Sequence, residues 1–401
     1  LKPDGYLGYI VPSKFMKVGA ASKLRELISR GRYLNTLISF GAHQVFEDKS
    51  TYTCIIIIRN KAQNTFRYSE VEDFSAWRTH SKDTNVFCNR GAGTISGDTW
   101  ILCTDAHKPL LDAVTKNSLP LESIVGDDHI FNGIQTSANQ VYVFVPHEQD
   151  ETTYTFDAFN GKKYRIEKTV TKPYFKTVQG TDSLNTYRTF APNARVIFPY
   201  ERNTMGHLSL IPLSTLKSKY PLLYSFLIDA KSELNRPSRD IQPKPSSSDE
   251  WYRYGRHQSL EACEVPEKII VGVLAQAEKY AVDEDGTLVS SGGTAGYCIV
   301  SVPPGCHYSI YYIQALLGSV QGEWLASLYG EIFRGGYIAR GTKVLKQIPL
   351  HVINFDDPDD VARHDDIVAR QKNLIMLGDK MFAANGNRRK LIPLQRRFCT
   401  L

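Results

Sequence analysis

The run Cys54 to Ile58, set within TYTCIIIIR (Thr51 to Arg59), constrains this chain more than any other feature. A short, unbroken, β-branched apolar run predicts a strand covered on both faces rather than an alternating surface strand. The residues before it give that strand its neighbours. Gly5 to Val11 (GYLGYIV) reads as a short apolar strand closed by Pro12, and Ser13 to Gly19 as a loop. Ala20 to Arg30 carries Ala20, Leu24, Leu27 and Ile28 at helical spacing and stops at Gly31. Tyr33 to Phe40 is a second strand. Strand, helix, strand, loop, strand is α/β order. A complete nucleotide-binding sheet needs further strands and a glycine-rich turn after its first one, and this stretch has neither. The expected class is therefore α/β, with residues 1–60 forming the end of a doubly wound sheet.

The rest of the chain is longer and different in kind. With 401 residues there is material for two domains. Residues 61–118 form a connecting segment with strand-like pieces and a helix over Asp105 to Ser118. Asn132-Gly133 is a turn dipeptide. TYTFDAF, KKYRIEK, KPYFKTVQG, TYRTF and ARVIFPY alternate and are rich in aromatic and β-branched residues, which predicts antiparallel strands. Pro212 to Leu234 reads as a helix. Asn235 to Glu250 is rich in Pro and Ser and is expected to be a mobile surface loop. Further strands and a helix over Ser309 to Ser319 follow. From Asp356 an acidic stretch precedes a helix that packs back on the molecule, and NRRKLIPLQRRF ends the chain as a basic segment. His364, Asp365 and Asp366 fit the acidic first turn of that helix better than a metal site.

Composition narrows the function classes. No apolar run approaches the ~20 residues that span a bilayer. The seven cysteines are odd in number and hold no CxxC pair, which argues against a zinc ribbon or a secreted disulfide framework and for a reducing cytoplasm. A formal charge of +6 permits nucleic-acid binding without requiring it. The opening Leu-Lys-Pro-Asp-Gly has no initiator Met and no signal pattern, so the chain reads as a fragment of a longer protein.

LKPDGYLGYIVPSKF, the helix containing KLRELI, and FGAHQVFEDKSTYTCIIII together resemble the adenine-N6 DNA methyltransferases of restriction–modification systems. These are the enzymes with a TaqI-like carboxyl-terminal specificity domain, including single-chain type II (type IIG-like) enzymes. The resemblance is strong in residues 1–60, moderate in 250–350 and weak elsewhere. It implies that residues 1–60 end a methyltransferase domain and that 119–350 form an α+β target-recognition domain with a long loop at 235–250. Residues 351–401 would then be a helical tail. It implies duplex DNA as partner, cytoplasmic bacterial location, and S-adenosylmethionine as methyl donor of the parent enzyme. No catalytic Asn-Pro-Pro-Tyr and no donor loop stand in this sequence, so no catalytic residue, metal or bound cofactor is expected in the chain itself. The missing methyltransferase part would be its other partner, with a nuclease domain upstream left open. A non-catalytic DNA-binding specificity subunit of a phage-defence complex is the alternative.

The same resemblance marks site residues. Phe46 would stack on an adenine turned out of the duplex, because the exocyclic amine is unreachable in the stack; such stacking is worth ~1–3 kcal/mol. The residues alone also allow a hydrophobic plug between two strands. Tyr52 is a weaker candidate. Gly133, Thr136 and Ser137 would bring main-chain N–H groups to phosphates. Arg253 and Arg256 lie in an aromatic–arginine phrase. Arg334, Gly335, Gly336, Tyr337, Arg340 and Lys343 form a glycine–tyrosine–basic segment suited to phosphates or guanine edges.

Overall fold

Thr53–Arg59 is a central strand because partners claim both of its edges. In the computed structural model, which describes residues 1–384 apart from 48, 50, 85, 178–183, 246, 258 and 293–295, five strands form the first sheet. They are β1 (Tyr6–Pro12), β2 (Leu34–Ser39), β3 (Thr53–Arg59), β4 (Thr65–Glu70) and β5 (Cys88–Gly91), in the order β1-β3-β2-β4-β5. β3 runs antiparallel to both β1 and β2, and β4 lies parallel to β2. The carboxyl ends of β1, β2 and β4 thus emerge on one edge of the sheet. Helix α1 (Ser22–Arg30) connects β1 to β2. The apolar run divides its side chains between two faces. Cys54 and Ile56 join Met16, Ile28, Leu37 and Trp100, while Ile55 packs with Ile38, Phe40 and Val71.

The chain gathers into two compact units. The first holds residues 1–121, 274–277 and 319–352; the second holds the remainder. In the first unit, helix Val320–Tyr329 precedes the hairpin Ile332–Phe333/Tyr337–Ala339, and strand Pro349–His351 pairs with Ser118–Pro120.

The second unit is a set of small sheets around an aromatic core. One four-stranded sheet is centred on Thr171–Phe175 and Ala194–Ile197, another on Lys268–Gly272 and Tyr297–Ser301. Tyr142, Phe156, Tyr200 and Tyr254 are buried in one core cluster, and the Tyr142 hydroxyl donates to the Tyr252 carbonyl at 2.5 Å. Buried phenols need such acceptors, since an unmade hydrogen bond there costs ~1–3 kcal/mol. Helix Pro358–Ala383 starts on Asp357, whose side chain accepts from the Asp359 N–H, and packs on helix Ile310–Leu317. His364 serves that packing: its ring accepts from the Ser309 N–H at 3.1 Å.

Several expectations change. Residues 61–118, expected as a connecting segment, supply β4 and β5 of the first sheet, and 319–352, expected within the 119–350 domain, fold with the first unit because strand Pro349–His351 pairs with Ser118–Pro120. Asn132-Gly133 is not a turn. Gly133 continues an extended segment, donates to the Tyr297 carbonyl at 3.1 Å, and leaves no room for a side chain, since a Cβ would fall 2.3 Å from the Val289 oxygen. The Pro- and Ser-rich loop after Leu234 is exposed along most of its length but fastened. Arg239 donates to the carbonyls of Leu234 (3.1 Å), Trp251 (3.0 Å), Thr136 (3.1 Å) and Arg253. The basic end Asn387 to Phe398 lies outside the described residues. No described helix is long and apolar enough to cross a membrane.

Candidate nucleic-acid interface

In the first unit the converging ends of β1, β2 and β4 leave a cavity of about 600 Å³. Its walls include Ser13, Lys17, Ser39, His43, Tyr52, Tyr68, Glu70, Trp100, His107 and Trp324. A crevice at the carboxyl ends of parallel strands is where open α/β sheets bind ligands, because the loops diverge there. Lys17 donates to the Ser327 carbonyl at 3.2 Å and to that of Gly330. Desolvation pushes its pKa down to about 8, against the pull of Glu331 and Glu70. Lost solvation likewise raises the Glu70 carboxyl above its ordinary value, with Lys17 and the Tyr68 hydroxyl opposing.

The loop after β2 explains the local phrase Val45-Phe46. Val45 packs toward Ile38, Phe40 and Val71, whereas Phe46 keeps 45% of its surface exposed. Turn contacts hold this pose: Lys49 N–H donates to the Phe46 carbonyl at 3.2 Å, and Gln44 Nε2 donates to the Lys49 carbonyl at 3.1 Å. Within this chain Phe46 does not fill the space between the two strands.

Arg334, Gly335, Gly336 and Tyr337 form the exposed tip of the hairpin, and both glycines have φ near +80° (83° and 77°), which suits residues without a Cβ. Phe333 contacts the Tyr52 ring edge-on at 5.8 Å. The Arg334 N–H donates to the Tyr52 hydroxyl, and Arg334 Nη1 donates to Gln44 Oε1 at 3.3 Å. Lys343 is exposed and reaches the Lys17 carbonyl at 3.2 Å.

Arg340 stands apart from these. It is fully buried and forked on Glu323, with Nε to Oε1 at 3.0 Å, and it donates to the carbonyls of Ala275 (2.9 Å) and Ile338 (3.1 Å). Its guanidinium faces the interior of the first unit.

In the second unit the candidate residues are mostly committed to the fold. Gly133 and Thr136 are buried, and the Thr136 hydroxyl donates to Asn139 Oδ1 at 2.5 Å. Ser137 adopts φ +56° and donates to the Asp240 carbonyl at 2.9 Å. Arg253 is buried against Glu250 at 3.1 Å. Burial and then the Arg253 charge hold His257 below its ordinary pKa. Arg256 is half-buried and paired with Asp240. The sequence marked Phe46 and the hairpin tip. It gave no signal for Lys17, Glu70 or Trp324, which meet only where three strand ends and a distant helix come together.

The Eco57I restriction-modification methylase family model matches residues 1–46. The fold is similar to that of the type IIL restriction-modification enzyme MmeI, solved in complex with DNA, with a TM-score of 0.50 at 11% identity over 99% of this chain and 46% of that one. The chain is also 44% identical over 377 residues to the type II restriction enzyme and methyltransferase RM.Eco57I of Escherichia coli, covering 93% of this chain and 37% of that protein. The chain is thus similar to a type II restriction–modification methylase along nearly all of its own length, and it spans little more than a third of the length of that relative.

Proposed function

We propose that this chain recognises duplex DNA for an adenine-N6 methyltransferase of a restriction–modification system, whose methyl donor is S-adenosylmethionine. The observation that carries the reading is Phe46: an aromatic held out from the loop after β2 while its neighbour Val45 anchors that loop in the core. A base drawn from the stack needs a flat apolar wall, and extrusion costs a few kcal/mol that stacking offsets in part. On this reading β1 to β5, rather than residues 1–60 alone, are the last strands of a doubly wound methyltransferase sheet, with β3 reversed between β1 and β2. The connection from β1 to α1 does not fit a donor loop. It runs through Pro12, Ser13 and Lys14, where a donor loop needs consecutive main-chain N–H groups free of side chains. The reading therefore assigns the donor site and the catalytic tetrapeptide to residues outside this chain.

Among the marked cations, Arg334, Lys343 and Arg256 have surface reach, and the Gly335-Gly336 tip lets backbone approach a phosphate. Phe46→Ala in the intact enzyme is expected to lower methylation of duplex DNA by tenfold or more while DNA affinity stays within about threefold, since a lost base–aromatic stack is worth ~1–3 kcal/mol. Methylation rates and fluorescence anisotropy on the same duplex measure the two. Equal loss of both would remove the stacking role. Salt-dependent binding with no methylation by the intact protein would favour a specificity subunit instead.

A further inference from the structure

The loop that presents Phe46 and the hairpin tip Arg334 to Tyr337 are separated by almost 300 residues, yet they meet at three points. Arg334 Nη1 donates to Gln44 Oε1 across 290 residues of sequence, and the Arg334 N–H donates to the Tyr52 hydroxyl across 282. The third is the edge contact between Tyr52 and Phe333. Gln44 and Tyr52 are the two flanks of the Phe46 loop. Tyr52 is fixed from behind as well, because the Ser13 N–H donates to its carbonyl at 3.0 Å and the Ser13 hydroxyl does so at 3.3 Å. Phe46, Arg334, Gly335, Gly336 and Tyr337 are all exposed. Their chemistry is a flat ring for a base, a cation for a phosphate, and a second ring for a sugar or base face.

We infer that the hairpin Ile332 to Ala339 works at the nucleotide drawn from the duplex, as one surface with the Phe46 loop, and that Tyr52 is the positioning residue joining them. This rests on the proposed role of Phe46 and deepens it. A hairpin serving only distant sequence readout has no need of a hydrogen bond to each flank of the base-stacking loop. Joined in this way, the grip of Arg334 on a phosphate sets the height of the loop that carries Phe46. A held geometry of this kind acts on the extrusion step more than on overall affinity, because misplacement of a positioned group slows a reaction without removing contacts.

The test uses the intact enzyme and a duplex with 2-aminopurine at the target adenine, whose fluorescence reports unstacking. Tyr52→Phe keeps the ring contact with Phe333 and deletes only the hydroxyl. It is expected to lower the fluorescence gain at least threefold and duplex methylation about tenfold, with affinity within twofold. A mismatch opposite the target, which lowers the cost of extrusion, is expected to restore most of the methylation. Gln44→Ala, made on the exposed side, is expected to act in the same direction, and its effect to shrink when combined with Arg334→Ala. Phe46→Ala in parallel separates the two claims. If Phe46→Ala abolishes the fluorescence gain while Tyr52→Phe and Gln44→Ala leave it unchanged, the coupling is refuted and the stacking role stands. If Phe46→Ala leaves it unchanged, the stacking role falls and the coupling with it. Parallel loss of affinity and methylation in Tyr52→Phe would also refute a positioning role.

Discussion

Arg340 and Arg334 stand six positions apart in one basic segment, and their surroundings predict opposite consequences for the same substitution. Arg340 has no exposed surface, and its fork meets a carboxylate, Glu323, whose side chain is 17% exposed. Replacing it by Ala takes two N–H donors from Glu323 and one each from the Ala275 and Ile338 carbonyls. Removing one member of a buried ion pair costs ~3–5 kcal/mol, since the other charge stays behind desolvated. With a urea slope of ~1–3 kcal/mol per M for a domain of ordinary size, that loss moves the unfolding midpoint of the first unit down by roughly 1–5 M. A chain of two units has no single unfolding free energy, so the readout must belong to one of them. Trp77, Trp100 and Trp324 lie in the first unit and Trp251 in the second. In a Trp251→Phe background, tryptophan fluorescence follows the first unit alone. Arg340→Ala is expected to shift that midpoint, and the double variant Arg340→Met with Glu323→Leu to recover most of it, because a buried pair exchanged for apolar residues is often neutral. Arg334→Ala is expected to leave the midpoint within ~0.5 kcal/mol, as for other surface changes. It should weaken DNA binding and reduce the salt slope by about one. An unchanged midpoint in Arg340→Ala, together with a reduced salt slope, would refute the assignment of Arg340 to the fold and return it to the DNA.

Two further expectations follow from buried charges. Lys268 and Asp283 pair at 2.9 Å with no exposed surface, so Lys268→Met alone should destabilise the second unit by ~3–5 kcal/mol in urea titration, and Lys268→Met with Asp283→Leu should regain most of that; additive losses would count against it. Lys17 has its pKa lowered to about 8 in the folded protein, below the value of ~10.4 for an unfolded lysine, so between these values the unfolded chain holds more protons and stability rises with pH. The urea midpoint of the first unit, compared with that of Lys17→Met, should therefore shift in favour of the unsubstituted protein between pH 7 and pH 10, and a constant difference would show that the Lys17 charge is not penalised.

What could be read from the sequence, and what could not, divides along the range of the interactions. β1, α1, β2 and β3 were legible because local pattern fixes them. A β-branched run such as Cys54 to Ile58 has few alternatives to a covered strand, and the observed elements fall within two residues of the expected ones. The two faces that the run implied are the two apolar clusters found on either side of it. Asn132-Gly133 misled for the opposite reason. A glycine is ambiguous between a turn, which uses its φ freedom, and close packing, which uses its missing side chain. The choice here is made by the Val289 carbonyl, more than 150 residues away. Arg239 in the Pro- and Ser-rich loop is a similar case, for a fork that gathers four carbonyls leaves no mark in composition.

The cations carry the same argument to function. A basic segment beside glycines and a tyrosine is a fair signal for DNA as a group, but each charge answers to its nearest partner. Arg340 is claimed by Glu323, 17 positions earlier, and Arg253 by Glu250, three positions earlier. An acidic residue at i−3 was visible in the sequence and pointed to a local pair; one at i−17 on a separate helix was not. Arg334 follows neither pattern. Its side chain meets a neutral amide, Gln44, so its full charge stays available to a phosphate while its direction is fixed. On the proposed reading, a cation held by a neutral partner at an exposed turn, next to an outward-facing aromatic, is therefore a sharper mark of a nucleic-acid site than the density of basic residues around it.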